Sequence, residues 1–305
     1  MDAMTPPLDR LVDAVAMWIE DQRRREPAGF RPAEAAPLGC FGPLPPLPPS
    51  PPREGSWRAP SPLPVHGDPS MAVVARPARG ARRGTAVLVP TWKVPSLALV
   101  GGYVRLATRA GFDVWTLVPP RHLERAGGAR GGEGFVTPDL AALKASIEQL
   151  VAEVRVLVAL ARARGGEVAL LGLSLGALGA ALAATAPERV DRVALVAPPA
   201  DLAAVHAETP IGRRYARLAA RAGAPLPAPD ALAALLTPLR PAERRPSAGR
   251  VFVAVGREDR IALPGGALEL ARAWGADLRV YARGHLTLLF ACRALRRDLR
   301  RFLAP

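Results

Sequence analysis

Apolar positions recur along this chain with two different periods, and the switch between them divides it into elements. Near the start, Leu8, Leu11, Val12, Val15 and Ile19 stand at helical spacing with charges between them, which predicts an amphipathic helix packed on the domain behind it. Between Phe41 and Pro64 the periodicity disappears: 10 of these 24 residues are proline. Proline lacks the amide proton that helices and ladders use, so this stretch reads as an extended strap along the domain rather than as helix or ladder, with an SH3-type ligand as the other reading. Met71 to Pro77 then reads as a strand.

From Thr85 onward short apolar runs alternate with longer helical patterns, the signature of an α/β fold with a mostly parallel sheet flanked by helices. The predicted strands are Thr85–Pro90, Asp113–Pro119, Glu167–Leu173, Arg192–Ala197, Arg250–Val255 and Leu278–Ala282. The predicted helices between them are Leu97–Ala110, a long one capped by Thr137 and stopped by Gly165 and Gly166, Leu175–Thr185, Pro264–Trp274 and Leu286–Leu303. One stretch breaks the alternation. Pro198 to Gly249 is helical, rich in Arg, Ala and Pro, and without a strand pattern, so it reads as a cap inserted at about 198–249. The expected organisation is an N-terminal helix and strap over 1–64, then one domain over 65–305 that carries the cap.

At 305 residues, with 50% hydrophobic and 22% charged residues, the chain can bury a full core and is neither disordered nor fibrous. The formal charge of +14 invites a polyanion-binding reading, but of the 41 basic residues only Lys93 and Lys144 are lysine. So lopsided a choice, beside heavy use of Ala, Pro and Gly, points to codon bias. No nucleic-acid partner is therefore expected, and the basic surface leaves room for no more than weak association with anionic surfaces. The two cysteines, Cys40 and Cys292, form neither a disulfide framework nor a zinc spacing. The N-terminal stretch lacks the layout of a secretory signal, which makes the cytoplasm the expected location. Val168 to Ala186 carries no charge over 19 residues, enough to span a bilayer, and Gly172 and Gly176 are spaced as in a helix-packing motif. A buried strand followed by a buried helix accounts for the same run without lipid, so no transmembrane segment is expected.

That run also holds the candidate chemistry. Gly172-Leu173-Ser174-Leu175-Gly176 is a GxSxG set between a predicted buried strand and a predicted helix, where a tight turn would lift the serine hydroxyl above the sheet edge. Serine needs a base to take its proton, and the base needs an orienting acid. Downstream, Arg257-Glu258-Asp259-Arg260-Ile261 follows one predicted strand and Arg283-Gly284-His285-Leu286 follows another, so both groups fall at the sheet edge that carries Ser174. Of the four histidines, His66 precedes the domain, His122 lies in a loop with a surface position expected, and His206 lies in the cap; His285 alone stands at a strand end in this order.

In these three motifs the sequence resembles the α/β-hydrolase superfamily, in particular its serine esterase-like members, over roughly Met71 to Leu303. The resemblance implies Ser174 as nucleophile, His285 as general base and then acid, and Asp259 as the carboxylate that holds the imidazole. Asp259 occupies the matching turn and is preferred over Glu258 and over Asp201, which follows the preceding strand. The resemblance also implies an oxyanion hole made of the Leu175 amide and a second amide from Pro90-Thr91-Trp92-Lys93. Trp92 is favoured there, because Pro90 has no amide hydrogen. This loop departs from the His-Gly pair common in the family. The expected activity is hydrolysis of a carboxylic ester or related small acyl substrate through an acyl-enzyme, with no metal or organic cofactor. Thioesterase, acyltransferase and peptidase activities share the same triad, and a non-catalytic binding protein of the same fold is a further alternative. Arg213 and Arg214 in the cap read equally as anchors for a carboxylate or phosphate and as solvated helix charge.

Overall fold

Central strands buried on both faces organise the molecule, successive residues packing alternately into two cores. The computed structural model describes residues 6–23, 37–65, 68–127, 131–223 and 225–305. Its strands are β1 (Gly55–Val65), β2 (Asp68–Arg76), β3 (Gly84–Val89), β4 (Phe112–Val118), β5 (Glu167–Leu173), β6 (Val190–Val196), β7 (Ala248–Gly256) and β8 (Asp277–Tyr281). They form one eight-stranded sheet in the order β1-β2-β4-β3-β5-β6-β7-β8. Pairing is parallel from β4 across to β8, while β1 with β2 and β2 with β4 are antiparallel.

The helices are α1 (Pro6–Arg23), α2 (Gly101–Arg109), α3 (Leu140–Ala163), α4 (Leu175–Ala183), α5 (Leu202–Glu208), α6 (Pro210–Arg221), α7 (Pro229–Leu236), α8 (Pro264–Ala273), α9 (His285–Ala291) and α10 (Arg293–Leu303). Successive strand residues serve opposite faces of the sheet. Val87, Val89, Leu170 and Val193 join a core shared with α3, α4 and α8, whereas Ala86, Leu88, Leu171 and Ala194 join a second core shared with α2 and α10. In α10 the residues Leu295, Leu299, Phe302 and Leu303 are all buried, each worth about 1.5–3 kcal/mol relative to exposure. The uncharged run of the sequence is β5 followed by α4, both buried in these cores. Among the described residues, no helix is long and apolar enough to cross a membrane.

Three sequence expectations change. The proline-rich stretch does contribute a ladder: β1 carries Pro60, Pro62 and Pro64 and pairs with β2 from Gly55 to Pro60, after which the register shifts. β1 is an edge strand, and an edge tolerates residues that cannot donate to a neighbour. The long helix is capped by Asp139, whose carboxylate accepts the Ala142 amide at 2.9 Å, rather than by Thr137. And α1 is inverted with respect to its apolar stripe: Leu8, Leu11 and Val15 are exposed, at 43%, 56% and 46%, while Asp9 and Asp13 are buried. The side chain of Ile19 lies outside the described residues, as does His66.

Under the sheet edge a polar cluster sits inside the fold. Arg125 donates to Glu153 at 2.8 Å, to Asp68 at 2.9 Å and to the Val118 carbonyl at 2.7 Å, and Glu153 also accepts from Ser61 and Gln149. This ties β1, β2 and α3 to the loop after β4.

Candidate active site

The turn from β5 into α4 is forced by its glycines. A Cβ on Gly172 would lie 2.4 Å from the Ala177 backbone, and one on Gly176 would lie 2.2 Å from the Pro90 carbonyl oxygen, so neither position admits a larger residue without backbone movement. Ser174 between them has φ 53° and ψ −120°, a conformation that costs an L-residue of order 1–3 kcal/mol and is maintained by its surroundings. The Ser174 amide is anchored to the Val196 carbonyl of β6 at 2.8 Å. Leu175 is the first residue of α4, where an amide has no acceptor within its own helix and the helix dipole favours negative charge.

Three of the residues read from the sequence meet here. Ser174 Oγ lies 2.8 Å from His285 Nε2, and His285 Nδ1 lies 2.6 Å from Asp259 Oδ2. The other oxygen of Asp259 accepts the amides of Ile261 and Ala262, both at 2.8 Å, which fixes the carboxylate within its turn. Burial disfavours the imidazolium of His285, but the adjacent Asp259 carboxylate and its hydrogen bond outweigh this and hold the pKa above the usual histidine value. The other candidate acids are occupied elsewhere. Glu258 accepts from Arg10 of α1 at 2.7 Å; Asp201 caps α5 through the Ala204 amide at 3.0 Å and faces Arg240.

Trp92 lies beside Ser174 in the wall of an adjoining cavity, its indole nitrogen donating to the Gly132 carbonyl at 2.8 Å. The loop that carries it is held by His122, which is fully buried rather than on the surface. His122 Nδ1 faces the Pro120 carbonyl at 2.8 Å, so that nitrogen carries the proton and Nε2 accepts the Lys93 amide, also at 2.8 Å. Burial pushes its pKa down to about 4, which keeps the ring neutral and able to accept. Lys93 has φ 56°, and this hydrogen bond is one of the contacts that retain it there.

One feature of the site lies far from the three motifs. Asp13 of α1 accepts the His285 amide at 2.7 Å and the Leu286 amide at 3.0 Å, across 272 positions of sequence. Asp9, one turn earlier, lies 3.9 Å from the Arg283 guanidinium. A Cβ on Gly284 would fall 2.7 Å from the Asp13 carboxylate, so glycine at this position is what lets the helix come so close. Burial pushes the Asp13 carboxyl up and outweighs the two amides that favour its charged form. The sequence signal for this contact was present as two acids four residues apart on α1, but the apolar stripe beside them pointed the other way.

The cavity beside Ser174 has a volume of about 70 Å³, roughly the room of five water-sized spheres. Its walls are almost wholly apolar and come from the loop after β3, from α3 and from the segment between β6 and β7, including Leu202, Val205, Ile211 and Tyr215. In that segment a Cβ on Gly212 would lie 1.9 Å from the His206 carbonyl, so α5 and α6 meet at backbone contact. Arg213 donates to the Glu208 carbonyl at 2.9 Å.

No family model matches the chain, and no curated protein matches it. Solved structures do. A monoacylglycerol lipase from Paleococcus ferrophilus is 18% identical, with a TM-score of 0.53 over 76% of this chain and 98% of the lipase. Est1E from Butyrivibrio proteoclasticus is 10% identical, with a TM-score of 0.52 over 82% of this chain and 98% of its own. An enol-lactonase from Burkholderia xenovorans LB400 is 19% identical, with a TM-score of 0.50 over 77% and 96%. At such identities the likeness speaks for architecture, and together with the strand order and the helices on both faces it establishes that this chain has the α/β-hydrolase fold.

Proposed function

We propose that the protein is a serine hydrolase that cleaves a carboxylic ester or a related acyl compound through an acyl-enzyme. The observation that carries this reading is the continuous hydrogen-bonded series Ser174 Oγ, His285 Nε2, His285 Nδ1 and Asp259 Oδ2 at 2.8 and 2.6 Å beside an apolar cavity. Ser174 Oγ attacks the acyl carbon while its proton passes to His285 Nε2. Asp259 stabilises the resulting imidazolium. The tetrahedral oxyanion is received by the amides of Leu175 and Trp92, each such donor being worth about a hundred- to a thousandfold in turnover. The imidazolium then returns its proton to the departing oxygen, leaving the acyl group on Ser174. A water molecule, deprotonated by His285, attacks that ester, and collapse of the second tetrahedral intermediate frees the acid and restores the serine.

In this reading the segment 198–249 is the cap that covers the substrate, α1 braces the histidine turn through Asp13, and β1 belongs to the sheet of the domain itself. A lipase and an enol-lactonase share this fold, which agrees with ester chemistry, and a thioester would engage the same groups.

The size of the cavity sets the first test. Room for roughly five water-sized spheres suits acyl groups of about four to six non-hydrogen atoms. Among p-nitrophenyl esters of graded chain length, kcat/KM should rise up to about butanoate or pentanoate and then level off, since each methylene beyond the cavity stays in water and adds none of the about 0.8 kcal/mol that burial gives. Activity that rises steadily to dodecanoate, or none on any member, contradicts the reading.

Asp13 becomes a positioning residue in this account, because it holds the turn that presents the His285 ring. Asp13→Ala should lower kcat by about tenfold, the order expected for losing hydrogen bonds to a charged acceptor. Asp13→Asn removes the charge and keeps an acceptor for only one of the two amides, so it is the pH profile that distinguishes the effect of the charge from lost support. The Asp13 carboxylate favours the His285 imidazolium, so removing its charge lowers the pKa of His285 and should move the acid limb of the kcat/KM profile to lower pH. A purely structural contact would leave that limb in place.

A further inference from the structure

Arginines packed into this fold are answered by carboxylates: Arg83 by Glu167, Arg155 by Glu188 and Arg240 by Glu269. Those of one cleft are not. It lies between β2 and α2 and has a volume of about 540 Å³, within the range of small-molecule sites. Arg76 of β2, Arg79 of the loop that follows and Arg105 of α2 line it, and no acid does. Arg79 and Arg105 are exposed and have no ion pair among the described residues. Arg76 meets Glu54 at 3.4 Å with both side chains more than half exposed, a pair worth about 0–1 kcal/mol that a stronger acceptor can displace. The loop that presents Arg79 is tied down: the Ala78 amide donates to Asp113 and the Arg79 amide to the Thr108 carbonyl, both at 2.8 Å. Asp113 in turn is neutralised by Arg82 and Arg164 at 3.1 and 3.0 Å. A Cβ on Gly101 would lie 3.4 Å from Arg105 Nη1, so this guanidinium folds back over the first turn of α2, where Gly101 is itself part of the lining. The lining also includes Val74, Leu97 and Val104, each only half-buried, which leaves apolar surface for a ligand to cover.

Three guanidiniums with no carboxylate in the lining suit an oxyanion of more than one charge, since each offers a planar fork of donors that matches phosphate oxygens. We propose that this cleft is a second ligand site, which binds a phosphate monoester bearing a short apolar group. Arg76, Arg79 and Arg105 hold the phosphate, and Val74, Leu97 and Val104 receive the apolar group. A carboxylate, with a single charge, makes poorer use of the three. Phosphate monoesters occur free in solution and as the headgroup of phosphatidic acid in a bilayer, and the two sources are separable by experiment. The cleft shares no lining residue with the cavity beside Ser174, so it stands or falls independently of the ester chemistry.

Titration calorimetry on the full chain at low salt provides the test, with hexyl phosphate as the probe and inorganic phosphate and hexanoate for comparison. Hexyl phosphate should bind about tenfold tighter than either, or more, because inorganic phosphate lacks the apolar group and hexanoate the second charge. Arg79→Ala/Arg105→Ala should weaken hexyl phosphate by about tenfold or more. The matched control is Arg297→Ala/Arg301→Ala, which removes the same charge from exposed positions of α10 outside the cleft and should leave the affinity unchanged. All four side chains are exposed, so both variants should keep the fold, which their melting temperatures without ligand verify. Absence of hexyl phosphate binding in the wild-type protein overturns the proposal, and so does equal binding of inorganic phosphate or hexanoate. An equal loss in the two double variants overturns it as well, because it would mark diffuse attraction to a basic surface. Cosedimentation with phosphatidylcholine vesicles, with and without phosphatidic acid, tells the sources apart. If phosphatidic acid is required and hexyl phosphate releases the protein, the ligand is a lipid headgroup; otherwise the hexyl phosphate site serves a soluble ester.

Discussion

Ser174→Ala should lower kcat on the best ester by about 10⁶-fold, with KM changed little, because the hydroxyl is the attacking group while the cavity wall beside it is untouched. The strain at φ 53° does not confound the comparison, since serine and alanine face the same cost there and the Ser174 amide keeps its bond to Val196. The groups of such a series act as one unit, so adding Asp259→Asn to Ser174→Ala should cost almost nothing further. Asp259→Asn alone should still be severe. An asparagine that keeps its carbonyl oxygen on the Ile261 and Ala262 amides turns its NH₂ toward Nδ1, and the imidazole is driven into the tautomer that places its proton on Nε2, facing Ser174. Steady-state kinetics on the three variants measures all of this, and additive losses in the double variant would contradict a concerted unit.

Arg125→Met should destabilise the fold by about 3–5 kcal/mol, the largest effect on stability expected here. The guanidinium is fully buried and supplies donors to Glu153, Asp68 and the Val118 carbonyl together. Methionine has similar length but no donor, so it strands two acids and a carbonyl inside the protein. Burial already pushes the Glu153 carboxyl up, with Arg125 pulling it back; without Arg125 the folded pKa rises further above that of the unfolded chain. The sign of the pH dependence follows. A raised folded pKa favours the folded state when the group is protonated, so the deficit of the variant should be smallest below about pH 4, near the ordinary carboxyl value, and grow as pH rises through the folded pKa of Glu153. Glu153→Gln added to Arg125→Met should recover part of the loss, because it removes the stranded charge. Denaturant unfolding followed from pH 4 to 8 checks both statements, and a pH-independent deficit of under 1 kcal/mol would contradict them.

What could be read from the sequence divides along physical lines. The elbow at Ser174 was legible because its requirements are local: a strand without charge after Glu167, two glycines that backbone contacts make obligatory, and a helix start. His285 and Asp259 were legible because parallel strands place the residues that follow them at one edge of the sheet, whatever lies between. β1 was hidden by its prolines, which are acceptable only because the strand is at an edge, a fact that sequence does not carry. The role of Asp13 was hidden by the stripe of Leu8, Leu11 and Val15, which is the usual marker of an inward face but here looks outward. His122 was underrated for a similar reason. It is a buried neutral ring whose environment is built by distant segments, and a lone histidine in a loop gives no local sign of that.

The central claim is that Ser174 is an activated nucleophile, and covalent labelling tests it most directly. A fluorophosphonate probe incubated with the native protein should attach in one-to-one stoichiometry, and mass spectrometry of the digested protein should place the adduct on the peptide that contains Gly172-Leu173-Ser174-Leu175-Gly176. Ser174→Ala should take no label, and His285→Ala should take it far more slowly. A native protein that stays unlabelled, or one labelled equally with and without Ser174, would contradict the account.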